Sequence, residues 1–305
     1  MTIVLENLFP IFALMAAGKL MRHWNFTTEA FLRVSDRLVY FIFFPAMLFW
    51  KIGGAPPDLS GESAFYAAVT LAVAAVYLLS TTFIIVGRVG TYQAGSFSQS
   101  CYRINTFIGV AVMMSTFGEE GVRRFGILIG IFVPLIHVLS ISTLIWFGGK
   151  RVALRAQISQ TARALATNPL VLACVGGMIY GQLVNRFPGF IDNTLRLASY
   201  VTLPLALLSV GSMLTLESLR THLRLALAAS LFKLLVLPAI GFMCLRALGT
   251  DGPSFRIGMI FFSLPTSSAA YILSSQLNSD PELASAAIAL STLLSFFSLS
   301  AALLM

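Results

Sequence analysis

Two short polar stretches carry the residues in this chain that could do chemistry. The first holds Arg103, Asn105 and Thr106, and the second holds Pro265 followed by three hydroxyl side chains, Thr266, Ser267 and Ser268. Proline lacks the backbone N–H that continues a helix, and its ring clashes with the preceding turn. A helix broken at such a point has a free N-terminal end with partial positive charge, which favours binding of an anion.

The composition indicates that these stretches lie in a membrane protein. The chain has 305 residues, of which 57% are hydrophobic and 10% are charged, whereas a soluble domain carries about 25% charged residues. A bilayer core takes about 20 apolar residues per helix, so the length suffices for about ten helices and leaves no room for a soluble domain. The net charge of +8 is expected to reflect loop arginines facing the cytoplasm, and no nucleic-acid partner is expected.

Apolar runs bounded by charge, Gly and Pro predict an all-α integral membrane protein with ten transmembrane helices. The predicted helices cover residues 3–22, 31–51, 63–87, 94–116, 122–147, 168–186, 192–214, 222–247, 253–276 and 281–304. A polar linker divides the chain. We predict a first five-helix repeat at 1–150, a cytoplasmic linker at 151–167 and a second five-helix repeat at 168–305.

The two halves share a spacing of Arg, Leu and Pro. The segments "RLVYFIFFP" and "RLASYVTLP" end at Pro45 and Pro204, 159 residues apart, and an offset of 160 relates Asn105 to Pro265. Five helices per repeat is an odd number, so the halves must lie in opposite orientations, which is the inverted-repeat architecture of secondary transporters. Chance similarity between two apolar sequences is the alternative.

The polar stretches coincide with the midpoints of the fourth and ninth predicted helices, and both helices are expected to be broken there. A charged side chain at the bilayer centre costs about 3 kcal/mol on the insertion scale, so it usually faces a functional cavity. Arg103 either contacts an anionic substrate or supports the break as an ion or hydrogen-bond partner. Asn105 either caps the broken helix or contacts the ligand, and the two roles are compatible.

Two further polar residues lie within predicted helices and are candidates for coupling transport to an ion. Lys233 follows Arg224 by nine residues, or roughly 13 Å along a helix. It could serve a substrate or proton-linked site, or donate to a carbonyl of a broken helix. His137 lies near the middle of the fifth predicted helix, and imidazole suits proton coupling. The alternative for His137 is a packing residue.

The acidic residues are informative because none lies in the middle third of a predicted helix. A cation antiporter normally needs a buried carboxylate, so the basic character of the buried ionisable groups favours an anionic substrate. The three cysteines have no metal-ligand spacing. No nucleotide loop, zinc motif or nucleophile elbow is present. We therefore expect no enzyme activity, no catalytic residue, no metal and no cofactor.

Lys and Arg indicate the orientation in the membrane. With the N-terminus outside, eleven of them flank the predicted helices on the inner side and seven on the outer side. Positive residues are retained on the cytoplasmic side. Both termini are therefore predicted outside the cytoplasm.

Six segments together resemble the auxin efflux carrier family, which includes plant auxin exporters and bacterial carboxylate transporters. They are "FFPAMLF", "RINTFIG", "NPLVLACVGGMIYG", "LPLALLSVGSML", "LPTSSAAYIL" and "LASAAIALSTLLS". The family belongs to a wider superfamily with bile-acid, arsenite and riboflavin transporters. The short central linker resembles bacterial members, because the plant members have a long cytoplasmic loop.

The resemblance implies that helices 4 and 9 cross at their breaks and that the substrate site lies at this crossing. Helices 1, 2, 6 and 7 would form a scaffold that dimerises, and helices 3–5 and 8–10 would form a moving transport domain in an elevator-type mechanism. Asn105 and Pro265 match the family's crossing residues. Many bacterial relatives carry another Asn shortly after the proline, where this chain has Ser267 and Ser268.

The sequence therefore predicts a secondary active transporter of small organic anions, with carboxylates as the expected class. Its expected partners are the substrate, a coupling proton or sodium ion, membrane lipid and a second copy of the chain, in a bacterial inner membrane. The expected site contains Arg103, Asn105, Thr106 and residues 265–268. The residues expected to break or support the helices are Pro45, Pro204 and Gly109. A sodium-coupled bile-acid-type symporter and a non-transporting ligand receptor are the alternatives.

Overall fold

The computed structural model describes residues 2–54, 62–147, 159, 162–163, 166–184, 186–214 and 217–305. Within these ranges the chain is helical and contains no β-strand, which confirms the predicted all-α fold. The predicted linker, 151–167, lies mostly outside the described residues. In the described part of the chain, six helical spans are long and apolar enough to cross a membrane: Thr2–His23, Ser63–Val86, Thr91–Leu144, Gly189–Ser212, Ser218–Ala247 and Pro281–Leu303.

The described residues of the first half form six α-helices and one π-helical turn. The elements are α1 Thr2–His23, α2 Glu29–Leu38, π1 Val39–Phe43, α3 Phe44–Gly53, α4 Ser63–Val86, α5 Thr91–Tyr102 and α6 Thr106–Phe147. A sharp kink divides α6 at Gly118, whose φ of 62° lies in the left-handed region that glycine adopts without a steric penalty. The kink falls in the gap between the fourth and fifth predicted helices.

In the second half, the part of the chain that the structure describes forms seven α-helices and a second π-helical turn. The elements are α7 Pro169–Leu183, α8 Gly189–Ser212, α9 Glu217–Leu231, π2 Phe232–Val236, α10 Leu237–Ala247, α11 Gly252–Ser263, α12 Ala269–Gln276 and α13 Pro281–Leu303. Asn168 caps α7 and Asp280 caps α13 through their side-chain oxygens, which satisfies backbone N–H groups that a helix start leaves free.

Both π-helical turns precede a proline. Pro45 and Pro238 are each the second residue of the helix that follows the turn. Proline removes one backbone hydrogen bond and displaces the carbonyl of the preceding turn, and a π bulge absorbs that change without ending the helix. Pro45 is thus accommodated by a bulge, whereas Pro204 lies within the continuous helix α8.

The chain forms two compact units. Unit 1 contains 1–59, 106–134 and 162–213, and unit 2 contains 60–105, 135–161 and 214–305. In unit 1, α3 packs on α7 and α1 packs on α8. In unit 2, α9 packs on α13 and α10 packs on α4. The unit boundary falls between Asn105 and Thr106, so α5 belongs to unit 2 and the first part of α6 to unit 1.

Glycines allow α1 and α8 to approach closely in unit 1. A methyl group added at Gly211 would overlap the carbonyl oxygen of Met15, and one at Gly18 would overlap that of Leu208. Small residues at such contacts let membrane helices pack backbone against backbone.

The variant Gly211→Ala is expected to lower the melting temperature of the detergent-solubilised protein. Overpacking of this kind costs about 1–3 kcal/mol. The matched control is Gly189→Ala on the same helix, where an added methyl group meets no atom within 4 Å. Equal melting temperatures for the two variants, measured by intrinsic fluorescence, would contradict the close contact.

Candidate functional site

Two helices of equal length end in the same backbone conformation within unit 2. Helices α5 and α11 each have 12 residues. Arg103 follows α5 with φ −66° and ψ 145°, and Leu264 follows α11 with φ −65° and ψ 148°. These extended residues stop each helix within an otherwise apolar segment. Residues 103–105 and 264–268 are non-helical before α6 and α12 begin.

A backbone hydrogen bond joins the two interruptions. The Asn105 N–H donates to the carbonyl oxygen of Pro265 over 2.9 Å. The reciprocal bond cannot form because Pro265 has no N–H. Asn105 is 1% exposed and Pro265 is buried. The two polar stretches identified in the sequence are therefore in direct contact in unit 2.

Side chains from other elements satisfy the carbonyl groups at the two interrupted helix ends. Thr266 Oγ1 donates to the carbonyl of Ser100, 2.8 Å away, at the end of α5. At the end of α11, Lys233 Nζ donates to the carbonyl of Phe262 over 3.0 Å. Buried carbonyls are almost always paired, so these contacts stabilise the helix ends at the two interruptions.

Serines of α13 provide two more contacts to the second interruption. Ser298 Oγ donates to the carbonyl of Ser263 over 2.8 Å, and Ser291 Oγ accepts from the Thr266 N–H over 3.1 Å. Sequence reasoning did not identify these serines. The signal was present, because Ser291, Ser295 and Ser298 are spaced by four and three residues and therefore share one helix face.

The start of α12 faces the second interruption with its positive end. Ser267 Oγ accepts from the Ala269 N–H over 3.3 Å, and the Ser267 carbonyl accepts from the Ala270 N–H over 3.0 Å. The aligned peptide dipoles place partial positive charge at this helix start. Ser267 and Ser268 are half-buried.

The buried cations of this region are Arg103, which is 5% exposed, and Lys233, which is 0% exposed. Both lie in unit 2, where Lys233 belongs to π2 and bonds to the end of α11. A buried charge in an apolar medium is costly unless it is paired or serves a function. The region between the interruptions therefore carries positive charge.

The remaining predicted residues are distributed over both units. His137 is half-buried on α6 in unit 2, and Thr106 is the first residue of α6 in unit 1. Gly109, Pro45 and Pro204 also belong to unit 1. Among the described residues, no group of three or more His, Cys, Asp or Glu side chains is arranged to hold a metal ion.

Comparison with known proteins identifies the family of the chain. A family described as membrane transport protein matches residues 150–303, half of the chain. A protein of Methanocaldococcus jannaschii described as an uncharacterized transporter is 25% identical over 189 residues. The match covers 61% of this chain and 59% of that protein, so it spans less than two thirds of the relative. With its membrane-length apolar helices, the protein is an integral membrane protein, and the chain belongs to the membrane transport protein family, the family of auxin efflux carriers.

Proposed function

We propose that the protein is a secondary active transporter of small organic anions, with carboxylates as the substrate class. The observation that carries the proposal is the backbone contact between the two interrupted helices, Asn105 N–H to Pro265 O at 2.9 Å. In transporters built on inverted repeats, substrate sites lie where discontinuous helices meet and helix N-termini point at anionic groups. The proposed site contains Arg103, Asn105, Thr106 and residues 265–268.

The charge distribution supports an anionic rather than a cationic substrate. Neither residues 89–118 nor residues 252–279, which contain the two interruptions, include an Asp or Glu. Arg103 and the positive helix start of α12 would instead attract a carboxylate. In this arrangement the Asn105 side chain would orient the ligand, and Arg103 would supply the full charge.

The similarity of the two interruptions supports a ten-helix, five-plus-five inverted repeat. Arg103 and Leu264 are 161 residues apart and have nearly identical backbone angles. We propose that the protein acts by an elevator-type mechanism in which a transport domain moves against a dimerising scaffold. The grouping of 60–105 with 214–305 in one unit supports a transport domain that contains α5 and α11, the helices that end at the two interruptions.

The energy source is proposed to be an ion gradient or the membrane potential, with Lys233 and His137 as the candidate coupling residues. We place the protein in a bacterial inner membrane as a homodimer with both termini outside the cytoplasm. The excess of Lys and Arg on the inner flanks of the predicted helices supports this orientation.

The proposal is tested by uptake into proteoliposomes. The purified protein would be offered radiolabelled malonate, succinate, malate, indole-3-acetate and taurocholate under imposed pH, sodium and potential gradients. We expect uptake of a carboxylate and at least a roughly tenfold loss in Asn105→Ala, because a hydrogen bond to a charged group contributes about 1.5–3 kcal/mol.

The matched control is Asn193→Ala, which changes an exposed asparagine on α8 and is expected to retain full uptake. Full uptake by Asn105→Ala would place the site elsewhere. Saturable binding without flux under any gradient would favour a receptor, and flux that requires sodium would favour a sodium-coupled symporter.

A further inference from the structure

Gln99 is a fully buried amide in the last turn of α5, four residues before Arg103, where the first interruption begins, and is 0% exposed. Its Nε2 donates to the carbonyl of Ala270 over 3.2 Å and to Ser274 Oγ over 2.8 Å. The Ala270 carbonyl can only accept a hydrogen bond, so the reverse orientation of the amide would place two acceptors against each other. The amide group is therefore fixed with its nitrogen toward α12.

A chain of serine hydroxyls holds the amide in this orientation. Ser279 Oγ donates to the carbonyl of Tyr92 over 2.7 Å, which uses its one hydrogen. Ser96 Oγ, 2.9 Å from Ser279 Oγ, must then donate to it, and Ser274 Oγ, 2.7 Å from Ser96 Oγ, must donate to Ser96. Ser274 consequently has only its lone pairs left for Gln99. The polarity of the chain is thus determined from the Tyr92 carbonyl to the Gln99 amide.

Because the amide is fixed, its oxygen atom, Gln99 Oε1, also has one defined orientation. Gln99 Oε1 is buried and has no hydrogen-bond partner among the described residues. Buried polar atoms are almost always paired, and an unpaired acceptor is unfavourable. An amide oxygen can only accept, so the group that completes this position must carry a hydrogen-bond donor.

The amide lies beside both interruptions. Its neighbour Ser100 accepts from Thr266 Oγ1 over 2.8 Å, and its acceptor Ala270 belongs to the first turn of α12, where the Ala270 N–H bonds to the Ser267 carbonyl. Gln99 therefore lies about one helical turn from residues 103–105 along α5 and contacts the first turn of α12, which follows residues 264–268. A ligand bound between the interruptions would therefore lie close to the Gln99 side chain.

We infer that Gln99 is a specificity-determining residue whose Oε1 accepts a hydrogen bond from a donor on the transported anion, so that the preferred substrates are carboxylates bearing a hydroxyl group. Ser96, Ser274 and Ser279 are positioning residues that fix the orientation of the Gln99 amide. The inference rests on the proposed transport function and adds the chemical class of its substrate. A site that is built to pair with a substrate hydroxyl discriminates strongly against the analogue without it.

The experiment measures kcat/KM for uptake of two substrate pairs that each differ by a hydroxyl group, succinate with malate and propionate with lactate. The unmodified protein is expected to prefer the hydroxylated member of the pair that it transports. Gln99→Met, which keeps the side-chain length and removes the fixed acceptor, is expected to reduce that preference roughly tenfold while uptake of the unhydroxylated member stays within twofold. Ser274→Ala should reduce the preference in the same direction, because it frees the amide to rotate.

The matched control is Gln93→Met, which changes the half-buried glutamine at the other end of the same helix and should leave the preference unchanged. Equal uptake of both members by the unmodified protein, or a preference unaltered by Gln99→Met, would overturn the inference. The partner of Oε1 would then be a water molecule only. Neither result would affect the proposed transport of carboxylates. Absence of uptake and of binding for all four acids would overturn the inference, and the same result for malonate, indole-3-acetate and taurocholate would overturn the proposed function as well. Where Gln99→Met fails to fold, Ser274→Ala is the deciding variant, and a preference for the hydroxylated acid that it leaves unaltered would contradict the assignment.

Discussion

Replacement of Arg103 by glutamine is expected to reduce carboxylate uptake roughly 100- to 1,000-fold. Glutamine keeps hydrogen-bonding capacity and removes the charge. Two unit charges about 4 Å apart interact by about 4 kcal/mol at an effective dielectric constant of about 20, which corresponds to a factor of about 1,000 in affinity. Arg103 is 5% exposed, so water screens this interaction little.

The measurement is the concentration dependence of uptake, because loss of an attractive charge should raise KM. Arg103→Lys retains the charge and is expected to recover part of the activity, although it lacks the planar fork of donors that matches a carboxylate. Arg33→Gln is the control, since Arg33 forms an exposed pair with Glu29 at 3.8 Å, and exposed pairs contribute little. Normal uptake by a folded Arg103→Gln protein would restrict Arg103 to a structural role.

Replacement of Lys233 by methionine is expected to destabilise the second interruption and to reduce uptake by roughly 10- to 100-fold. Lys233 is fully buried, and its bond to the Phe262 carbonyl is 3.0 Å long. Methionine has a similar length but no donor, so the carbonyl at the end of α11 would lose a charge-assisted hydrogen bond worth about 1.5–3 kcal/mol.

The two readouts for Lys233→Met are the melting temperature in detergent and the uptake rate. Both are expected to fall, whereas Lys19→Met, which changes an exposed lysine on α1, should alter neither. An unchanged melting temperature together with lost uptake would contradict the supporting role at the Phe262 carbonyl and would favour Lys233 as a substrate or coupling residue.

Hydropathy and proline chemistry predicted the positions of the apolar segments closely, because both are local properties. The predicted helix at 63–87 is Ser63–Val86, and the one at 281–304 is Pro281–Leu303. The two interruptions were also predictable, since an Arg–Asn pair and a Leu–Pro step within apolar runs are unfavourable for a continuous helix in a bilayer. The π-helical form of the turns before Pro45 and Pro238 was not predicted, because it depends on how the displaced carbonyls are accommodated.

The partners of the interrupted helices were decided by the tertiary structure. The bonds from Lys233 to Phe262, from Thr266 to Ser100 and from Gln99 to Ala270 join residues 29, 166 and 171 positions apart. Periodicity shows which residues share a helix face, but which face meets which depends on the packing of α5, α11, α12 and α13. The sequence alone determined that the chain is a helical membrane protein with two polar interruptions. The tertiary structure determined that they touch at Asn105 and Pro265, because a broken helix must obtain its missing hydrogen bonds from whatever the fold brings beside it.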